Sequence, residues 1–165
     1  MQTTLPALHR RDWLTQGLGA LAAAGVCSFS WAAGEGLPEA RSLPQALDKA
    51  LAQGQPLLVM VSLEGCVYCR MARQSHLVPM FKQGQPMVQV DMRSAQAVVD
   101  FSGASTTHDQ LTRTWKISVA PTLLFFGAGG REVAERMEGA YLPDFYGAYL
   151  DERLNKGRKI GRAHV

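Results

Sequence analysis

Along the chain after residue 41, hydrophobic and polar positions change period repeatedly, and each change marks an element. In "SLPQALDKALAQG", Leu43, Leu47 and Leu51 recur at four-residue spacing. Ser42 is placed to cap the run, Pro44 falls in its first turn and Gly54 stops it, so a helix is expected. "PLLVMVSL" (56–63) is a near-continuous apolar run of strand length, the pattern of a strand covered on both faces in the middle of a parallel sheet. From Cys66 to about Leu77 neither Gly nor Pro interrupts, which predicts a second helix with Met71, Ala72 and Ser75 able to face inward. "PMVQVDM" (86–92) predicts a strand, and "AVVDFSGAS" (97–105) a short β-like run with a turn.

Thr107 and Gln110 form a capping-box pattern before a helix in "DQLTRTWKI". "PTLLFF" (121–126) reads as a strand, "GAGG" (127–130) as a turn and "REVAERM" (131–137) as the antiparallel partner. Pro143 opens a final helix through "DFYGAYLDERL", with Phe145, Tyr149 and Leu154 near one face. The order α-β-α-β-(β)-α-β-β-α predicts an α/β three-layer sandwich over residues 42–155. Residues 33–41 read as a flexible lead-in. The basic, glycine-containing stretch 156–165 reads as a solvated, frayed end, with partner binding as the other possibility.

Composition changes this picture little. A chain of 165 residues is long enough for one domain with a substantial core. The net charge of +3 is too small to argue for a nucleic-acid partner.

The first residues change it more. Arg10 and Arg11 precede an uncharged stretch from Trp13 to Gly34, rich in Ala and Gly. A basic head, a weakly apolar middle and small residues at the end are the marks of a cleavable export signal. The arginine pair with Leu14 resembles the twin-arginine motif, although Trp13 stands where Phe is preferred. Ser30-Trp31-Ala32 offers small residues where a signal peptidase inspects, so residues 1–32 are expected to be the signal. An uncleaved anchor is the alternative, since the stretch is long enough to span a bilayer. Cleavage removes Cys27 and leaves Cys66 and Cys69 as the only cysteines, in an oxidising compartment where disulfides persist.

Those two cysteines stand three apart where a buried strand gives way to a helix. A cysteine at a helix N-terminus faces unsatisfied amides and the positive end of the dipole, and both favour thiolate over thiol. Cys66 is therefore expected to be exposed and reactive, with Cys69 one turn on and shielded. Arg70 and Arg73 add positive charge, and Glu64 opposes it. In this reading Cys66 attacks a substrate disulfide and Cys69 resolves the mixed disulfide.

Three other uses of the pair compete. A structural staple closing so short a loop removes little unfolded-chain entropy. Structural zinc wants four ligands, and only His76 lies close in sequence. Copper(I) could use the two thiolates with a His or Met, and Met60, Met71, Met80, Met87 and Met92 are available. Met60 and Met71 read more simply as core filler on a buried strand and an inner helix face. No cofactor is expected.

A buried strand, then Cys66-Val67-Tyr68-Cys69 opening a helix, then Ala120-Pro121-Thr122 far downstream, resembles the thioredoxin-fold family over roughly residues 42–155. Within it, the Cys-X-Tyr-Cys centre and the segments "SAQAVVDFSGASTTHDQ" and "EGAYLPDFYGAYL" resemble exported thioredoxins of sulfur-oxidation operons (SoxW-type) and, more loosely, periplasmic disulfide-isomerase domains. The resemblance implies a thioredoxin-like three-layer sandwich with a mixed central sheet. It implies that Pro121 is a cis proline packed beside the cysteines, with no N–H to present to the thiols. Ala120 would then offer backbone to an extended substrate segment, and Val67 and Tyr68 would bind the substrate with it.

The implied activity is that of a periplasmic thiol–disulfide oxidoreductase working as a reductase. Its implied partners are an exported protein carrying a disulfide and an inner-membrane electron donor. No dimerisation domain of the isomerase kind is present in the sequence, so a monomer is expected. Two positions depart from cytoplasmic thioredoxins. Gly65 and Val67-Tyr68 replace the Trp and the Gly-Pro of their centre, and Met60 stands where they carry a buried Asp.

Overall fold

The computed structural model describes residues 36–139 and 143–162. The export signal, the first residues of the lead-in and Leu142 lie outside the described residues. Among the described residues, no helix is long and apolar enough to cross a membrane.

Strand β1 (Leu57–Ser62) is buried at every position, as its unbroken apolar run requires. It pairs in parallel with β2 (Met87–Asp91) on one side and antiparallel with β5 (Thr122–Gly127) on the other. The central sheet is therefore mixed. Its side chains divide by the two-residue period of a strand. Leu58 and Met60 stand beside Phe125 and Leu123 in register and join one core cluster, while Leu57, Val59 and Val61 join the other.

Each face has its own cover. Helix α1 (Leu43–Ala52) and helix α4 (His108–Thr114) close the second face with Leu43, Leu47, Ala50 and Leu111. Ser42 and Thr107 cap them, each hydroxyl accepting from the backbone N–H three residues on, Gln45 and Gln110. The first face is covered by the helical run beginning with α2 (Val67–Ala72) and by α5 (Pro143–Arg162), whose Tyr146, Leu150 and Leu154 are buried.

The structure departs from the expected elements in several places. The second helix does not stop near Leu77. It passes through a π turn, Arg73–Leu77, into α3 (Val78–Lys82). Pro79 has no N–H and would clash with the carbonyl four residues back; widening by one residue, with the Val78 N–H reaching Arg73 O, lets the helical path continue. Met71 lies about half exposed on the outer face rather than in the core, and Ser75 is exposed as well. The inward positions are Cys69, Ala72 and Leu77.

The partner of β5 is split into β6 (Arg131–Glu132) and β7 (Met137–Glu138), both paired with β5. Val133 and Ala134 turn into the core between them, and the Arg136 guanidinium reaches back to Glu132. The run after β2 forms a small hairpin of β3 (Ala97–Val99) and β4 (Ser105–Thr107). The second of these strands is polar, so no hydrophobic pattern announces it.

Both ends of the domain are more ordered than expected. From Leu37 the lead-in packs along the open edge of β2: Gln89 N–H donates to Pro38 O and Ala40 N–H to Gln89 O, both at 2.8 Å. Leu37 and Ala40 are buried. Helix α5 runs on to Arg162 because its last turns have partners. Gly157 packs against Pro56 and Val133. The Arg158 guanidinium donates to the side-chain oxygens of Gln55 and Gln85. On the same helix the inward positions are Tyr146, Leu150 and Leu154, and Phe145 and Tyr149, expected on one face with Leu154, face outward.

Candidate redox site

Strand β1 delivers the chain to Leu63, after which it turns sharply. Gly65 has φ +74°, in the region that favours glycine, and Cys66 N–H closes the turn on Leu63 O at 3.1 Å. Cys66 keeps extended backbone as the N-cap of α2, and its Sγ accepts from the Cys69 N–H at 3.0 Å. The two cysteines are joined as a disulfide, with Cα atoms 5.2 Å apart.

Their exposure differs. Cys66 is partly buried at the surface of the first core cluster, whereas Cys69 is 1% exposed. The difference follows from helix geometry: the cap residue stands at the rim, and the residue one turn on points down onto the sheet.

The loop before β5 closes the site from the other side. The Ala120–Pro121 peptide bond is cis. Pro121 is buried, and Ala120 O lies 3.8 Å from Cys66 Sγ. Two hydrogen bonds hold the loop: Thr122 Oγ1 donates to Val119 O at 2.7 Å, and Gly139 N–H donates to Pro121 O at 2.8 Å. Of the residues singled out in the sequence, Cys66, Cys69, Ala120 and Pro121 are thus brought together across 54 positions of chain. Val67 and Tyr68 stand beside them, 52% and 60% exposed.

Comparisons with known proteins bear out the fold. The thioredoxin-like domain family matches residues 43–154. The chain belongs to the thioredoxin-like domain family. Among solved structures it is similar to a thioredoxin from Thermus thermophilus, at 21% identity and a TM-score of 0.53, over 77% of this chain and 95% of that one. It is also similar to the DsbH oxidoreductase, at 18% identity and a TM-score of 0.50, over 72% of this chain and 85% of that one. These likenesses show the fold. A comparison with curated proteins returns no match.

In this thioredoxin-like domain the surroundings of the pair are apolar beneath and charged at the rim. Met60, at the position where cytoplasmic thioredoxins carry an Asp, is fully buried in the same cluster as Cys69. No Asp or Glu is buried among the described residues. The nearest carboxylate in sequence, Glu64, is exposed. His76 does not turn toward the sulfurs; its ring stacks on Tyr146 with centroids 4.8 Å apart. Among the described residues, no three His, Cys, Asp or Glu side chains group as ligands.

Two features of the site have no local signal in the sequence. One is the exposure of Met71, which joins Val67 and Tyr68 as apolar surface on the outer side of α2. The other is Arg93, which arrives near Cys66 from the turn after β2. Only the parallel pairing of β1 with β2 brings that turn alongside the cysteine loop, and no local motif carries that information.

Proposed function

We propose that this protein is an exported thiol–disulfide oxidoreductase that reduces disulfides of other exported proteins. The observation that carries the reading is the unequal exposure of the two sulfurs, Cys66 at the rim beside Ala120 and Cys69 buried beneath it. Export rests on the basic pair Arg10-Arg11 and the small-residue run that follows. The direction of electron flow rests on the resemblance to exported thioredoxins.

The chemistry balances as follows. Starting from the dithiol form, the Cys66 thiolate attacks one sulfur of the substrate disulfide; that bond breaks and the departing substrate thiolate takes up a proton. A mixed disulfide now joins Cys66 to the substrate. Cys69, having lost its proton, attacks Cys66 Sγ and expels the second substrate thiolate. Two electrons have passed to the substrate, and the pair is left as the disulfide. An external dithiol, supplied by an inner-membrane donor, restores it.

The Cys69 N–H directed at Cys66 Sγ and the positive end of the helical run both stabilise the attacking thiolate. Among the described residues no buried carboxylate is there to receive the proton of Cys69, which passes to Glu64 or to water. The second step is thereby slower than the first in this reading.

The test is a trap. In a Cys69→Ser variant the mixed disulfide on Cys66 cannot be resolved, so a substrate protein accumulates covalently attached and is released by dithiothreitol. The wild-type protein should catalyse insulin reduction by dithiothreitol. Equal trapping by Cys66→Ser would overturn the assignment of attacker and resolver. Retention of stoichiometric copper with no reductase activity would replace the function by metal carriage.

A further inference from the structure

An open cleft of about 860 Å³ lies against Cys66 on the side made by the carboxyl ends of β1 and β2. It is separate from the cis-proline loop and from Val67 and Tyr68, none of which lines it. Three arginines do: Arg70 on α2, Arg73 at the start of the π turn and Arg93 in the turn after β2. The two lips are tied by Met92 N–H donating to Ser62 O at 2.8 Å. Arg73 is held in place by donating from Nη2 to Ser62 Oγ at 2.9 Å.

The other two arginines have no hydrogen-bond or ion-pair partner among the described residues. From Arg41 to Arg158, every arginine except Arg70 and Arg93 has a hydrogen bond from its guanidinium to a protein oxygen. Both exceptions line this cleft. Glu64 and Asp91 are on its wall too, but among the described residues no ion pair links either of them to a guanidinium. Asp91 is already engaged, its Oδ1 accepting from Gln89 Nε2 at 2.8 Å. Arg93 moreover has φ +62°, a left-handed conformation that a glycine would adopt more easily. The surface beside the rim sulfur therefore presents planar donors suited to carboxylate oxygens and left unmatched by the other described residues.

We propose that this cleft binds a carboxylate carried by the disulfide substrate, within reach of the sulfur that Cys66 attacks, so that acidic disulfides are preferred. This deepens the oxidoreductase reading and rests on it. The carboxylate can belong to an Asp or Glu beside a cystine in a polypeptide, or to a small disulfide with free carboxylates; the donors are the same for both.

The experiment measures kcat/KM of the purified protein for two peptide disulfides of one length, the cysteines flanked by Glu in one and by Gln in the other. A preference of about tenfold for the acidic peptide is expected at low ionic strength, shrinking as salt screens the exposed guanidiniums. In an Arg70→Gln/Arg93→Gln variant the ratio should fall below about threefold, a change in selectivity that general loss of folding would not produce. Oxidised glutathione added as competitor separates the sources: inhibition of the acidic peptide alone assigns the cleft to small carboxylated disulfides, and lack of inhibition assigns it to acidic polypeptide. Equal rates on the two peptides in the wild type overturn the cleft and leave the oxidoreductase reading standing. Reduction of neither peptide overturns both.

Discussion

The two faces of the central sheet are built from alternate residues of the same strands, yet they differ in kind. On the face under α1 and α4, Val59, Val61, Leu124 and Phe126 meet an aromatic group in which Phe126 lies 4.6 Å from Phe101 and 5.4 Å from Trp115, centroid to centroid. A buried histidine ties that face to the lead-in: His108 Nδ1 accepts from Asp91 N–H and Nε2 donates to Ala40 O. Nothing there is left reactive. On the face under α2 and α5 the same strands offer Leu58, Met60, Leu123 and Phe125, and among them sits Cys69. That cover begins at the sharp turn of Gly65 and is broken by a π turn, and it presents Val67, Tyr68 and Met71 to solvent. One face holds the fold together, and the other carries a helix whose first turn is free to be chemistry. A sheet packed on both sides can give up regularity on one because the other is complete.

Substitutions can separate the two roles. Cys66→Ser has the largest effect: turnover of disulfides is lost altogether, while the stability change is small, because the closed loop is too short to restrict the unfolded chain much. Insulin reduction and a thermal melt, measured side by side, check both halves. Phe126→Ala should do the reverse, lowering stability by about 3–5 kcal/mol in urea titration while the molecules still folded reduce disulfides at the wild-type rate. If the folded fraction of Phe126→Ala were inactive, the faces would not be independent.

His108→Ala sharpens the contrast at smaller cost. It leaves the Asp91 N–H and the Ala40 carbonyl without the ring that satisfied them, and a loss of about 3 kcal/mol is expected. Hydrogen exchange should rise along the lead-in first, since that strip loses its tie.

The smallest effect is at Asp100, in the β3–β4 turn. Its Oδ1 accepts from Ser102 Oγ at 2.6 Å and from the N–H groups of Ser102 and Ala104. The Ser102 hydroxyl above all, with those backbone donors and against a desolvation that raises it, holds the carboxyl below the ordinary 3.8. A lowered folded value stabilises the protein fully above the unfolded value and ceases to do so as pH falls through the folded one. Asp100→Asn should therefore lower Tm by about a degree near neutrality and by nothing in strong acid. A difference that grew on acidification would show that the sign had been misread.

Several elements are legible in the amino-acid sequence because their signals are local. The unbroken run from Leu57 to Ser62 has the length and pattern of a strand buried on both sides, and the caps Ser42 and Thr107 act where a hydroxyl precedes a helical run. The polar strand Ser105–Thr107 is not legible, since its pairing and not its composition makes it a strand. The helix beyond Leu77 is hidden by Pro79, which locally reads as a stop and is accommodated by a π turn. The order of the last turns of α5 is hidden because Gln55 and Gln85, the partners of Arg158, lie far away in the chain.

By itself the sequence determined the chemistry available: two cysteines at the mouth of a helix, a proline before a buried strand, and apolar runs of strand length. These follow from bonding patterns within a few residues, which a linear text records. Only the tertiary structure decided which sulfur is sealed in, what stands beside the one that is not, and that Arg93 comes to share a cleft with Arg70 and Arg73. Those outcomes depend on strand order, and strand order is settled by burying every apolar face at once, a condition no single segment contains.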